Sequence, residues 1–504
     1  MIPSEKTLLS PPADDDPADD GGRRKFFTLF PSIMLPMFMA IVDQTIVATA
    51  LPAIASDFSA VERVSWVVIS YLVATTIAAP VYGRLGDALG RRRLMFVALA
   101  IFMAASLICA ASVSLGMLVA GRVLQGLGGG GLMTLSQALI GETVPPRSRA
   151  RFQGYLAGVA VTSSIFGPVA GGFLTEFFGW RSIFLVNIPL GLIAGFLVLR
   201  IASRPGETIR GRFDIAGLVL FAAFVASFLV MLERAQKLDM SNLPVTLGLA
   251  GLSLLAVVAL VLRELRAPDP LFPVPVFRHP AIWRSDLMAA CHGATLVSLV
   301  TYIPIYLRVA RGASASEIGV FLLPMMAAVG IGSMTTGQLV SRTGFTAIFP
   351  SVGLIFAFVG IVSLAAIGPS LSDPLFGALL ALIALFLGSV MSVVQVTVQS
   401  AAGRGLLGTA AASVQFSRSL GAALGTAIIG AVLFAALAVI DPEATRVFVQ
   451  LFESATDPLT AMPADKAALI SAEIARAFKA SFLAIAGFVA IANVLAWTIP
   501  LRRI

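Results

Sequence analysis

The chain has 504 residues, of which 58% are hydrophobic and only 12% charged, whereas a soluble protein of this size carries about 25% charged residues. Runs of ~20 apolar residues recur along the whole length, each able to cross a ~30 Å hydrocarbon core as a helix, which excludes a water-soluble multidomain protein. The formal charge of +8 reads as cations gathered in loops at one membrane face, not as a nucleic-acid surface.

Residues 1–25 are acidic and Pro-rich at their start and are expected to form a disordered cytoplasmic tail. Arg23-Arg24-Lys25 then precedes an apolar run at 26–55 that is too long for a cleaved signal sequence and reads as a first membrane helix. Apolar runs continue at 64–86, 94–113, 115–140, 152–175, 181–201, 213–233 and 244–264. Six more follow at 283–308, 316–341, 345–368, 374–398, 405–438 and 480–500, giving fourteen expected spans. Cys109 and Cys291 fall inside these runs, too far apart in sequence to suggest a disulfide framework or a metal site. With His279 and His292 as the only histidines, no metal or cofactor is implied.

An even count places both termini on one side. Arg91 to Arg93, Arg147, Arg149, Arg151, Arg200, Arg263, Arg278, Arg342 and Arg404 share that side with the termini. It holds roughly two-thirds of all Lys and Arg and is therefore expected to be cytoplasmic. Trp66 and Trp180 fall at outer span ends, and Trp283 and Trp497 at inner ones, which suits interfacial rings. Residues 439–479 mix both charges and are expected to form an external loop.

The second and tenth spans share Gly-x-Leu-x-x-x-x-Gly, at Gly83 to Gly90 and Gly337 to Gly344. That match relates the second helix of one six-helix set to the second helix of another. It predicts bundles at 26–201 and 283–504, with spans 7 and 8 and their linkers inserted at 202–282.

Asp43 is the only acid deep inside a span. An ionised carboxylate there must face a cavity, find a partner or take a proton, and a nearby cation shifts that balance. A structural polar contact is the plainer alternative. Arg122, in the fourth span, stays charged at any physiological pH and needs a partner or water. The turn Gly83-Arg84-Leu85-Gly86-Asp87-Ala88-Leu89-Gly90-Arg91 has glycines suited to a tight reversal. The fifth span carries Gly158 and then Gly167-Pro168-Val169-Ala170-Gly171-Gly172, where Pro kinks the helix and Gly permits close contact. Gly179-Trp180-Arg181 leads into Asn187-Ile188-Pro189.

Together with Asp43-Gln44-Thr45-Ile46-Val47 and Arg122-Val123-Leu124-Gln125-Gly126-Leu127-Gly128, these motifs resemble the fourteen-span drug:proton antiporters of the major facilitator superfamily (the EmrB/QacA group). The resemblance runs from about residue 26 to the C-terminus; Ser182 stands where that family usually has Trp. It implies an all-α membrane protein of two six-helix bundles with two helices inserted between them, fourteen transmembrane helices in all. It assigns proton coupling to Asp43 and Arg122. A conformational latch would involve Gly83, Asp87, Gly90, Arg91 and Arg404, and the antiporter motif would comprise Gly158, Gly167, Pro168, Gly171 and Gly172. The partners implied are a small lipophilic substrate, protons and membrane lipid, with a periplasmic adaptor protein as in some relatives. The expected site is the cell inner membrane.

Gln44, Gln125, Met325, Gln415 and Arg418 are the expected lining of the substrate cavity. His292 is a proton relay or, more plainly, a structural histidine, and Asp286 an N-terminal helix charge. The tenth span has Met325, Met326 and Met334 but no acid beyond Glu317, which points to neutral or monocationic lipophilic substrates. Asp43→Asn is expected to abolish coupled export with folding largely intact. A metabolite, siderophore or amino-acid exporter on the same fold stays open, as does a non-transporting sensor. No catalytic cluster or Walker motif is present in the sequence, so neither an enzyme nor direct ATP drive is indicated.

Overall fold

The computed structural model describes residues 20–60, 63–201, 213–235, 243–268, 270–271, 274–440, 442–453 and 462–504. The expected N-terminal tail up to residue 19, the linkers at 202–212 and 236–242, and part of 439–479 lie outside the described residues. The first helices are α1 (Asp20–Asp57), α2 (Trp66–Leu89), α3 (Arg91–Ala110), α4 (Leu115–Thr143) and α5 (Pro146–Phe178). A short α6 (Ser182–Leu185) precedes α7 (Asn187–Val198), and α8 (Ile215–Ala235) and α9 (Leu243–Glu264) form the next pair. Then come α10 (Val274–Phe277), α11 (Pro280–Arg311), α12 (Ala315–Thr343), α13 (Ile348–Ile367) and α14 (Asp373–Ala402). The chain closes with α15 (Leu407–Ile440), α16 (Pro442–Glu453) and α17 (Ala464–Thr498).

Helix thus covers every one of the expected spans, and the ends follow local chemistry. Ser114 caps α4 by accepting from the Met117 N–H at 3.2 Å. Ser314 and Glu317 form a capping box on α12, and Gly312 and Gly344 end α11 and α12 in the left-handed conformation. Among the described residues, twelve helices are long and apolar enough to cross a membrane. Two expected spans fall outside that set: α4, whose glycines, Arg122 and Gln125 dilute its apolar character, and the short Ser182–Val198 segment.

One expectation is corrected. The segment 439–479 is not a plain loop, because α16 lies within it and α17 starts at Ala464. α16 is amphipathic; it buries Ala444, Val447 and Phe448, with Phe448 against Phe434 and Phe478 at 5.7 and 6.3 Å between ring centres. Mixed charge on its outer face made it read as loop.

α1 to α5 and α7 pack as one group, and α11 to α15 with α17 as another. The groups meet along two seams, α2 against α15 and α5 against α12. Each seam joins the second helix of one group to the fifth of the other, as two parallel repeats related by a pseudo-twofold axis require. The matched glycines explain the closeness. A Cβ on Gly83 would stand 2.6 Å from the Gly408 carbonyl oxygen of α15, and one on Gly337 would meet the Ala150 carbonyl of α5. α8 and α9 pack on each other, and α8 also touches both α2 and α15. Phe221 of α8 lies 5.1 Å from Phe416 of α15 and shares a cluster with Val73 and Ile77 of α2.

Candidate functional site: a buried ion pair and a central cleft

Asp43 and Arg122 are both wholly buried. Arg122 Nη1 donates to Asp43 Oδ2 at 2.5 Å and to Gln125 Oε1 at 2.7 Å, while its Nε donates to the Val67 carbonyl at 3.1 Å. Asp43 Oδ1 accepts from Gln125 Nε2 and Asn187 Nδ2, each at 2.8 Å. Gln125 also donates to Ser106 Oγ at 2.8 Å, and the guanidinium lies 4.2 Å from the Tyr71 ring centre. Helices α1, α2, α3, α4 and α7 therefore converge on one charge pair inside the first group. Such a pair tolerates burial only when hydrogen bonds satisfy its remaining lone pairs and protons, and here three donors hold the carboxylate.

Sequence reasoning found the two charges but not Asn187, Ser106 or Tyr71 as their partners. The run ending in Asn187-Ile188-Pro189 carried the one usable signal, an amide inside an apolar segment. Gln125 belongs to this cluster and does not line the cleft, because the ion pair takes up both ends of its amide. Asp43 has no exposed surface, so it does not meet a compound in this conformation.

At the end of the bundle marked by Arg91, Asp87 joins the two groups. It accepts from the backbone N–H of Gly408 at 2.9 Å and of Thr409 at 3.0 Å, and from Thr409 Oγ1 at 3.2 Å. A carboxylate at the N-terminus of a helix is favoured by the free N–H groups there. Arg91 Nη2 holds the same carboxylate at 2.5 Å and reaches Glu142 of α4 with Nη1. Gly90, at φ 91°, makes the turn between α2 and α3. Arg404 opens the short turn before α15, but its side chain lies outside what is described. Nearby, Gln399 Nε2 donates to the Gln137 carbonyl at 3.1 Å, tying α14 to α4.

The α5 glycines serve two different contacts. Gly158 faces Met334 of α12 across the seam. Gly167 and Gly171 face Thr45, Ile46 and Thr49 of α1 within the first group, and Gly172 faces open space. The motif thus supports α1 packing more than a seal between halves.

A cleft lies between the groups. Met37, Gln137, Gln153 and Leu156 line it from the first, and His292, Gln395, Gln415 and Arg418 from the second. Of the expected cavity residues, Gln415 and Arg418 are there. Met325 is 1% exposed and packs in the second core, because the helix turns it inward, and Gln44 is not among the lining residues. Asp286, expected as an N-terminal helix charge, lies near the start of α11, where it is buried and accepts from Ser413 Oγ at 3.2 Å.

Known proteins resemble this chain in sequence or in fold. The profile of the Major Facilitator Superfamily matches residues 33–426. The chain is 31% identical over 416 residues to "Multidrug transporter protein MdtP" of Bacillus subtilis (strain 168), covering 82% of this chain and 76% of that one. It is 28% identical over 408 residues to "Multidrug resistance protein 3" of the same organism, covering 81% and 79%. Among solved structures, the crystal structure of the human organic anion transporter MFSD10 (TETRAN) superposes with a TM-score of 0.62 at 14% identity, covering 93% of this chain and 99% of that one. The proton:xylose symporter XylE superposes with a TM-score of 0.60, also at 14% identity, covering 95% and 97%. Motifs, paired seams and relatives agree, and the chain belongs to the major facilitator superfamily of multi-pass membrane transporters.

Proposed function

We propose that this chain is a proton-coupled exporter of lipophilic small molecules that works by alternating access, within the fourteen-span drug:proton group. In this reading α4 and the α6–α7 segment complete the spans. The chain divides into bundles at 26–201 and 283–504 with an insert at 202–282. The end carrying Arg91 faces the cytoplasm, as the excess of Lys and Arg there supports, and the protein resides in the cell inner membrane. The multidrug relatives at about this level of identity support export.

The carrying observation is the enclosed Asp43–Arg122 pair. Protonating Asp43 removes the counter-charge of Arg122, which ties proton uptake to opening of the pair and proton loss to its closing. The cleft-lining Met37 lies on the same helix, six residues before Asp43, so a shift of α1 links the two sites. With the Asp87 latch closed, the conformation described is shut toward the cytoplasm. A proton from outside separates the pair, the latch releases and the cleft opens inward. Loss of the proton to the cytoplasm returns the loaded cleft outward. In proteoliposomes with an imposed pH gradient, wild-type protein should move lipophilic compounds against their gradient. The charge-free pair variant Asp43→Asn/Arg122→Gln should bind them without coupled movement. Coupled movement by that variant would remove the pair from the mechanism.

A further inference from the structure

The walls of the central cleft are rich in donors and lack acids. Gln153 Nε2 on α5 and Gln395 Nε2 on α14 line it and are buried without an acceptor, and His292 of α11 also stands in the wall. The three residues are 6%, 3% and 2% exposed. Beside them stands Arg418 on α15, whose Nη2 donates only to Gln415 Oε1, at 2.5 Å and on its own helix. None of the lining residues is a carboxylate. The buried acid of α11, Asp286, is engaged by Ser413, and among the described residues Arg418 forms no ion pair.

Arginine does not give up its proton under physiological conditions, and a cation half-buried in the cleft without a counter-ion is costly to desolvate further. Buried donors without acceptors add to that cost. A cleft presenting one permanent cation and two vacant donors is complementary to a group with negative charge and several oxygens. The planar guanidinium fork suits a carboxylate or sulfonate, and Met37, Leu156, Val390 and Val394 provide apolar wall for the rest of such a molecule.

We propose that the cleft binds a lipophilic organic anion, its acidic head on Arg418 with oxygens accepting from Gln153 and Gln395. The proposal rests on the export reading only for the direction of movement. It revises the expectation of neutral or monocationic substrates: the absence of an acid in the tenth span is compatible with it, but Arg418 sets the sign of the cleft.

The test is equilibrium binding to full-length protein in phosphatidylcholine nanodiscs, which hold no anionic headgroup. Radiolabelled taurocholate, a lipophilic sulfonate, is measured against tetraphenylphosphonium, a lipophilic cation. Saturable taurocholate binding is expected, undisturbed by tetraphenylphosphonium, lost in Arg418→Gln and retained in part by Arg418→Lys. Thermal unfolding of each variant separates loss of the site from loss of the fold. Undiminished taurocholate binding by folded Arg418→Gln would overturn the proposal. So would wild-type protein that binds only tetraphenylphosphonium, or neither probe. Taurocholate held through Arg418 but not moved by a proton gradient would instead count against coupled export and leave the anion site standing.

Discussion

Asp43 is held by three donors and shielded from water, so removing its charge affects more than proton coupling. Asp43→Asn leaves Arg122 enclosed without a counter-ion, and breaking a buried pair on one side costs about 3–5 kcal/mol. The expectation that folding would be left largely intact is therefore revised. Asp43→Asn should lower the unfolding temperature in detergent markedly, and adding Arg122→Gln should recover most of the loss. A single variant as stable as wild type would show that water reaches the pair. At this scale the charges were legible because a carboxylate or guanidinium in an apolar run is rare and conspicuous. Asn187, Ser106 and Tyr71 were not, since which face of α7, α3 or α2 turns toward α1 depends on packing between segments far apart in sequence. The same ignorance of helix rotation put Gln125 in the cleft and hid the contact of Asp286 with Ser413.

Glycine patterns were equally visible, but the surfaces they meet were not. Gly171 and Gly172 are adjacent in the sequence, yet one lies against Ile46 and Thr49 and the other against nothing within 4 Å. Gly171→Val should destabilise the protein by about 1–3 kcal/mol through overpacking, whereas Gly172→Val should stay within about 0.5 kcal/mol. Parallel thermal melts decide it, and equal effects would mean that α5 does not rest on α1 as described. At the latch, Asp87→Asn keeps the shape but weakens acceptance from the Gly408 and Thr409 N–H groups. Spin labels placed on the two groups at the Arg91 end should then report longer separations. Unchanged distances would assign the closed state to the glycine seams alone. The family resemblance grouped Asp87 with Arg404 in a latch, and the structure adds the Gly408 and Thr409 backbone groups that Asp87 grips.

The architecture of the molecule was the most legible level, because hydrocarbon thickness imposes a length and composition that need no tertiary knowledge. Its weak points were α4, diluted by the glycines that let it pack, and the 439–479 segment, where amphipathic helix resembles charged loop. The proposed fourteen crossings would put both ends of the chain on the cytoplasmic side. A C-terminal green fluorescent protein fusion should therefore fluoresce and a C-terminal alkaline phosphatase fusion should be inactive. The reverse pair of results would mean an odd number of crossings, with the α6–α7 segment the first to re-examine. Even the last residues are engaged, as the Ile504 N–H donates to the Gly344 carbonyl at 2.9 Å, so the fusion needs a linker.

The inserted pair makes the molecule lopsided. α8 lies across one seam, touching α2 and α15 together, while neither α8 nor α9 packs comparably on α5 or α12. On the covered flank, rocking of the halves has to drag Phe221 over Phe416 or peel it from Val73, and acyl chains cannot wedge in. Among the described residues, the opposite flank has no such fence. In the proposed export of lipophilic compounds, an oily molecule dissolved in the bilayer would enter by that open flank and not by the covered one.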